Sequence, residues 1–380
     1  MHIGFITSEY SNPKFENKIG GIGTFTKNLA ENLVRSGCKV TVFIHSQKEE
    51  FRTSDNGVIL HFVKRKSKKA LTWYYNRKYF NNYVSLVVKR DKIDILEAPD
   101  WTGFTAFMKF TIPLIIRLHG SDTFFCDLEQ RKLKRKNAFF EAKALKSSTA
   151  IVGVSNFVSS KTKELFKLKE TPSVIYNAID LKKFKPNHKS IKENSLLYFG
   201  TMIRKKGVLE LANIFNELVK LKPNISLTIL GKDVVDLKEN KSTLELFKQQ
   251  LSHLALNNFC YFDSVPYQEV QNHIKEAEIV VLPSLAESFG LVTIEAMSLE
   301  KSVVTSNFEW NQEIIENNVS GIMENPMCHA DYAKKILWLI NHKQKSIEMG
   351  VNARRRVFEK FNLDKITEMN ISFYKKYINS

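Results

Sequence analysis

Short apolar runs of strand length alternate with stretches of helical spacing from one end of this chain to the other. That alternation restricts the fold more than any other feature. The runs at 2–8, 39–46, 58–64, 93–98, 113–118 and 150–156 are apolar nearly throughout, the pattern of strands buried on both faces. Between them apolar residues recur three or four positions apart, as Phe25, Leu29 and Leu33 do. Parallel strands need long crossovers, and helices supply them. The spacing therefore predicts an α/β chain of parallel sheets covered by helices. The alternation pauses over 182–195, a polar, Lys-rich segment with Pro186, and resumes with runs at 196–200, 227–232, 260–262, 279–282, 303–306 and 321–323. With 380 residues, long for one core, the expected division is a first domain over 1–182 and a second over 195–362.

The formal charge of +17 requires an explanation. Nucleic acid, anionic lipid and polyanionic substrates all suit such a balance. No recognition helix, RNA-binding or zinc signature is present, which counts against nucleic acid. Two stretches interleave Lys and Arg with aromatic residues: 64–80, holding Trp73, Tyr74 and Tyr75, and 131–140, ending in Phe139-Phe140. They suit peripheral contact with an anionic membrane, or are solvated faces of a Lys-rich chain. No segment approaches about 18 consecutive apolar residues, and the N-terminus runs straight into a core strand. Cys38, Cys126, Cys260 and Cys328 lie far apart and form no metal-ligand pair. A cytoplasmic chain with reduced thiols is expected, touching the inner membrane face at most peripherally.

The stretch 279–297 carries the clearest chemical signal. A buried strand is closed by Pro283, which has no N–H to give. A polar turn follows (Glu287, Ser288, Phe289, Gly290), and then Leu291, Ile294 and Met297 recur at helical spacing. The unpaired amides and dipole of that helix start suit an anion such as a phosphate. Glu287 lies before the helix and Glu295 inside it, roughly 10 Å apart along the axis. That distance suits the sugar and the ribose of one nucleotide, and a carboxylate can hold paired hydroxyls. A solvated turn residue and an ordinary helix-surface residue are the plainer readings.

Other candidates lie at strand ends, which face the ligand crevice in such sheets. Gly20 and Gly21, in the run Gly20-Gly21-Ile22-Gly23 before a helix, allow close backbone approach to a phosphate or sugar. They follow the first strand too distantly for a dinucleotide fingerprint. His119 precedes Gly120 at a strand end and suits a hydrogen bond to a hydroxyl or phosphate, or is a satisfied structural residue. Glu97 and Asp122 are secondary candidates. In the second half, Gly200 and Thr201 end a strand, and Arg204, Lys205 and Lys206 supply positive charge just beyond. No Asp-x-Asp motif offers a metal site.

The sequence Glu-Ser-Phe-Gly-Leu at 287–291, followed by Ile-Glu-Ala at 294–296, resembles the Glu-x7-Glu signature of retaining glycosyltransferases of family 4. The resemblance implies the GT-B fold: two facing Rossmann-like domains with a cleft between them, and a C-terminal helix, 363–380, crossing back to the first. It implies a nucleotide-diphosphate sugar as co-substrate, most simply UDP-linked, with no metal or other cofactor. Glu287, His119, Lys206 and Arg204 then take catalytic roles. Glu295, Gly20, Gly21, Ser288, Phe289, Gly290, Leu291, Gly200 and Thr201 hold the donor. The acceptor is a lipid-linked or polysaccharide glycan, as in lipopolysaccharide synthesis. Thr201 stands where the family has Arg, so Arg204 or Lys205 is expected to supply that charge. Ala178 stands where the family usually has Gly. An epimerase on the same fold, or a non-catalytic partner subunit of a polysaccharide assembly, remains open.

Overall fold

The computed structural model describes residues 1–12, 20–66, 71–187 and 191–379. Part of the first basic stretch (67–69) and part of the expected linker (188–190) thus lie outside the described residues. The chain divides into two compact units, Met1–Ala178 with Leu363–Ser380, and Ile179–Asn362.

The first unit contains β1 (His2–Thr7), α1 (Gly21–Arg35), β2 (Lys39–Gln47), β3 (Phe51–Asp55), β4 (Val58–Lys64), α2 (Thr72–Asp91), β5 (Ile95–Pro99), β6 (Leu114–Leu118), α3 (Asp122–Leu128), α4 (Arg135–Ser147), β7 (Ala150–Gly153), α5 (Asn156–Phe166) and β8 (Ser173–Val174). The sheet order is β3-β4-β2-β1-β5-β6-β7-β8. β1 and β6 are buried along their whole length, as their unbroken apolar runs require. Ser155 caps α5, its hydroxyl accepting from the N–H of Val158 at 3.0 Å.

All neighbouring strands are parallel except β3 and β4. The apolar pattern does not announce β3, because Phe51 is its one apolar residue and it forms the exposed sheet edge. The signal lies in Asn56-Gly57, whose φ values of +46° and +82° make the two-residue hairpin that joins β3 to β4.

The second unit contains β9 (Ser195–Phe199), α6 (Val208–Leu221), β10 (Ser226–Leu230), α7 (Thr243–Gln250), α8 (His253–Asn257), β11 (Phe259–Phe262), α9 (Tyr267–Glu276), β12 (Ile279–Leu282), α10 (Leu291–Ser298), β13 (Ser302–Ser306), α11 (Glu309–Gln312), β14 (Ile322–Glu324), α12 (His329–Asn341) and α13 (Lys343–Lys360). Its sheet is parallel throughout, in the order β11-β10-β9-β12-β13-β14. From β9 the chain winds outward to β11, then returns to lay β12 on the other side of β9. The carboxyl ends of β9 and β12 therefore flank the point where the winding reverses, the usual place for a ligand in an open α/β sheet. In the first unit the corresponding reversal lies between β1 and β5.

The change of unit comes earlier than the Lys-rich segment suggests. Ile179 is buried, bridges to Asn362, and donates its N–H to the Phe361 carbonyl at 2.9 Å. The described residues of 182–195 thus belong to the second unit.

The last helix, α14 (Leu363–Ile378), returns to the first unit. It packs on α1, where the Asn32 amide donates to the Thr367 hydroxyl at 2.7 Å. Its inner face also completes a buried polar network. Arg117 on β6 is fully buried and forks onto Glu97 of β5 at 2.7 and 2.9 Å. Arg117 donates to Asn370 as well, and the Tyr374 hydroxyl donates to Glu97 at 2.7 Å. Glu97, a secondary ligand candidate from its strand-end position, is therefore committed to holding α14. Desolvation alone would make such a buried charge costly, and the paired geometry offsets it.

Candidate active site

The site of the second unit grows from two loops that the backbone draws together. After β9 the chain passes Gly200, Thr201 and a short 3₁₀ turn, Arg204–Lys206. Gly207 ends that turn at φ +68° and opens α6. A Cβ on Gly207 would fall 1.8 Å from the carbonyl oxygen of Pro283, so only glycine lets the loops approach this closely. The Lys205 carbonyl then accepts from the N–H groups of Leu285 and Ala286, at 2.8 and 3.0 Å. These contacts hold the β9–α6 loop against the turn after β12.

Lys206 and Glu287 meet in an ion pair across that seam. The Ser284 hydroxyl donates to the same Glu287 oxygen at 3.1 Å. Both side chains keep an outlet to solvent, 21% exposed for Lys206 and 12% for Glu287. Beneath them Tyr198 donates its hydroxyl to the Thr201 carbonyl at 3.1 Å. Burial, reinforced by the Glu287 carboxylate, pushes the Tyr198 phenol up and keeps it protonated.

Three residues past Glu287, Gly290 caps α10 at φ +101° with no side-chain cap. The first turn of α10 itself contains no acidic residue to offset its positive end. Glu295 is half-buried on the same helix, and Ser288 and Leu291 are half-buried as well. Phe289 is a core residue, buried and edge-on to Phe361 at 5.5 Å, so any ligand contact it makes is through its backbone.

Arg204 points elsewhere. Its guanidinium forks onto Asp236 at 2.8 and 3.0 Å. Asp236 also accepts from the N–H groups of Lys238 and Glu239, and its carboxyl is pulled down to about 2, chiefly by Arg204. Arg204, one of the two residues expected to replace the missing Arg at the exposed Thr201 (the other is Lys205), is thus already matched by a carboxylate. Asp236 gave no local signal, because it lies in the loop after β10, 32 residues from Arg204. Among the described residues, no group of three or more His, Cys, Asp and Glu could hold a metal ion.

In the first unit, His119 follows β6. Its backbone N–H donates to Asp100 at 2.9 Å, and its ring stands edge-on to Phe25 of α1 at 4.7 Å. Burial, with the nearby Arg117 charge, lowers its pKa to about 3, so the ring is neutral near neutral pH. Gly20 and Gly21 open α1, the helix that carries Phe25, but the structure adds an unexpected carboxylate there. Glu9 accepts from the Gly23 N–H at 3.2 Å, and its oxygen would lie 2.9 Å from a Cβ on Gly20. The helix start therefore already holds an acidic side chain, while Gly21 stays exposed. Glu141 plays the same part for α3: it is buried and accepts from the N–H groups of Asp122 and Thr123 at 3.0 and 3.2 Å. Asp122, the other secondary candidate, accepts from the Asn137 amide at 2.8 Å.

Comparison with known proteins bears on the family and the fold. Residues 180–356 match the family described as Glycosyl transferases group 1, and residues 19–183 match Glycosyltransferase Family 4. An uncharacterized glycosyltransferase of Methanocaldococcus jannaschii is 26% identical, covering 99% of this chain and 98% of its own. A UDP-Gal:alpha-D-GlcNAc-diphosphoundecaprenol alpha-1,3-galactosyltransferase of Escherichia coli is 25% identical over 75% of this chain and 77% of its own. Among solved structures, sucrose-phosphate synthase from Thermosynechococcus elongatus superposes with a TM-score of 0.82 at 16% identity, covering 99% of both chains. Anabaena HepE in complex with UDP-glucose gives 0.75 at 17% identity, covering 99% of this chain and 100% of its own. The α/β architecture of two parallel-sheet domains is that of these GT-B neighbours. With the two family models following one another along nearly the whole sequence, the chain belongs to the family 4, group 1 glycosyltransferases.

Proposed function

We propose that this enzyme moves a hexose from a UDP-linked donor to a lipid-linked or polysaccharide glycan, with retention of anomeric configuration. The observation that carries the reading is the Lys206–Glu287 ion pair, held where the second sheet reverses and just before the uncapped start of α10. A donor diphosphate exchanges one anionic partner of Lys206 for another. Glu287 is then released to accept hydrogen bonds from donor-sugar hydroxyls. The α10 amides at Gly290 and Leu291 take the remaining phosphate charge, and Glu295 holds the ribose hydroxyls.

Breaking the glycosidic bond leaves extra negative charge on UDP. Lys206 and the α10 dipole stabilise that charge as it develops, the kind of preorganised electrostatics that usually contributes most. Retention follows if the acceptor hydroxyl enters from the leaving-group side and gives its proton to a phosphate oxygen. Arg204, fastened to Asp236, is assigned a positioning role on the same loop rather than direct neutralisation. His119, being neutral, is assigned a hydrogen bond to a bound sugar or phosphate on the first unit, and Gly20 and Gly21 a backbone contact beside it. The choice of UDP draws on the Anabaena HepE complexes with UDP and UDP-glucose, and the lipid-linked acceptor on the Escherichia coli relative's name.

The test is a panel of nucleotide sugars, with slow release of the nucleoside diphosphate as readout and the anomer of the product read by NMR. Turnover of a UDP-sugar with retained configuration supports the proposal. Turnover confined to another nucleotide, inversion, or an epimerised donor with no transfer overturns it.

A further inference from the structure

The two Lys- and Arg-rich aromatic stretches are far apart in sequence, but the first unit brings them onto one face. The Trp73 ring at the start of α2 lies 5.1 Å from Phe140 of α4 and 6.2 Å from Phe107 in the loop after β5. Phe107 in turn lies 6.1 Å from Phe139. Arg77 lies over the Phe140 ring at 4.3 Å and donates to the carbonyls of Phe104 and Gly103, which ties α2 to that loop. Around the buried Phe140, Phe107 and Phe139 stay more than half exposed, at 51% and 52%, and Leu71, two residues before Trp73 in the chain, is 58% exposed. A single exposed apolar residue needs no reason, whereas a connected group marks an interaction surface. Leu71 and Phe107 also hold left-handed backbone, at φ +54° and +67°. Bulky residues seldom adopt it, and such strain concentrates where a side chain must be presented.

Beside this apolar group is a cavity of about 520 Å³ lined by Lys64, Arg65, Lys66 and Lys78, with Tyr75 and Tyr79. Tyr75 links the two, its ring 5.7 Å from that of Tyr74. Lys66 lies over the Tyr79 ring at 4.2 Å, and the Tyr79 hydroxyl is spent on Glu50 at 2.7 Å. Four cations therefore line a concave space next to exposed aromatic and aliphatic side chains.

We propose that this face docks on an anionic bilayer, with Leu71, Phe107 and Phe139 in the headgroup–acyl boundary and a lipid phosphate in the Lys64–Arg65–Lys66–Lys78 cavity. The chemistry is that of interfacial binding: aromatic and aliphatic groups for the boundary, and clustered Lys and Arg for the negative surface. A single-stranded nucleic acid would use the cations and aromatic faces but give no role to Leu71. The inference stands independently of the donor assignment, since it uses no residue of the second unit.

The experiment is co-sedimentation of the full chain with vesicles of phosphatidylcholine alone and of phosphatidylcholine mixed with phosphatidylglycerol, at low and high salt. Wild-type protein should pellet with the anionic vesicles only, and less at high salt. Phe107→Ser with Phe139→Ser, and separately Lys64→Glu with Lys78→Glu, should each weaken association about tenfold or more, on the scale of a few interfacial contacts. Melting curves and donor hydrolysis without vesicles should stay at wild-type values in both, which separates lost docking from a lost fold or site. Failure of the wild type to bind anionic vesicles at low salt overturns the proposal. So does wild-type binding by either double variant, or tighter binding to a single-stranded oligonucleotide than to the vesicles.

Discussion

Three side chains can be tested one at a time. Lys206→Ala removes the ammonium that pairs with Glu287 from the β9–α6 loop. It should lower donor kcat/KM by about a hundredfold or more, the scale of losing one preorganised partner of a developing anion. Single-turnover hydrolysis would show it, and unchanged rates would remove Lys206 from the mechanism. Glu295→Ala should raise donor KM while leaving kcat near wild type, because ribose contacts do not change as the bond breaks. Asp100 offers a pH test. Burial, reinforced by Glu141, raises its carboxyl to about 7, and its second oxygen is buried without a partner. The folded state therefore binds this proton more tightly than the unfolded chain, whose carboxyl titrates near 4, as is typical of model peptides. Its contribution to stability is full below about pH 4 and is lost as pH rises towards about 7. Melting temperatures of wild type and Asp100→Asn should thus diverge between about pH 5 and pH 7 in favour of the variant. Parallel curves would refute a raised carboxyl. Neither this buried acid nor Glu9 was legible in the sequence, since burial of a carboxylate is decided by distant packing.

At the scale of elements, the strands were legible and the loops between them much less so. Ile279–Leu282 reads as a buried strand from four apolar residues, and the structure forms it over those residues. β3 escaped because an exposed edge carries no apolar run, although Asn56-Gly57 marked its hairpin. The fastening of Arg204 to Asp236 escaped as well, since an ion pair between loops of different crossovers has no period to read. The contact of the β9–α6 loop with the Pro283 turn depends on one missing Cβ. Gly207→Ala should cost about 2 kcal/mol or more, combining left-handed backbone with a backbone clash. Chemical denaturation would measure that cost. Donor hydrolysis should fall in the same variant, because the change pushes Lys206 away from Glu287. A stable, fully active Gly207→Ala enzyme would show that the close approach is dispensable.

At the scale of the whole molecule, the two α/β halves were legible from the alternation itself. The polar, Lys-rich composition of 182–195 points to a later change of unit than the contacts give, because the ties to the second unit, such as Ile179 to Phe361, Phe184 to Arg354 and Lys192 to Glu276, leave no mark in composition. The Arg117 network shows why α14 belongs with β5 and β6. Arg117→Leu strands Glu97 in the core and should cost about 3–5 kcal/mol. Adding Glu97→Leu should restore part of that loss, which calorimetry of the single and double variants would reveal. A double-variant loss equal to the sum of the two single losses would mean that the charges act separately. The same network has a consequence for biosynthesis. Asn370 follows Arg117 by 253 positions, so the ribosome must translate all of Ile179–Asn362 before that guanidinium meets its last partner. The first unit therefore stays incomplete on the nascent chain until the whole of the second unit has been made.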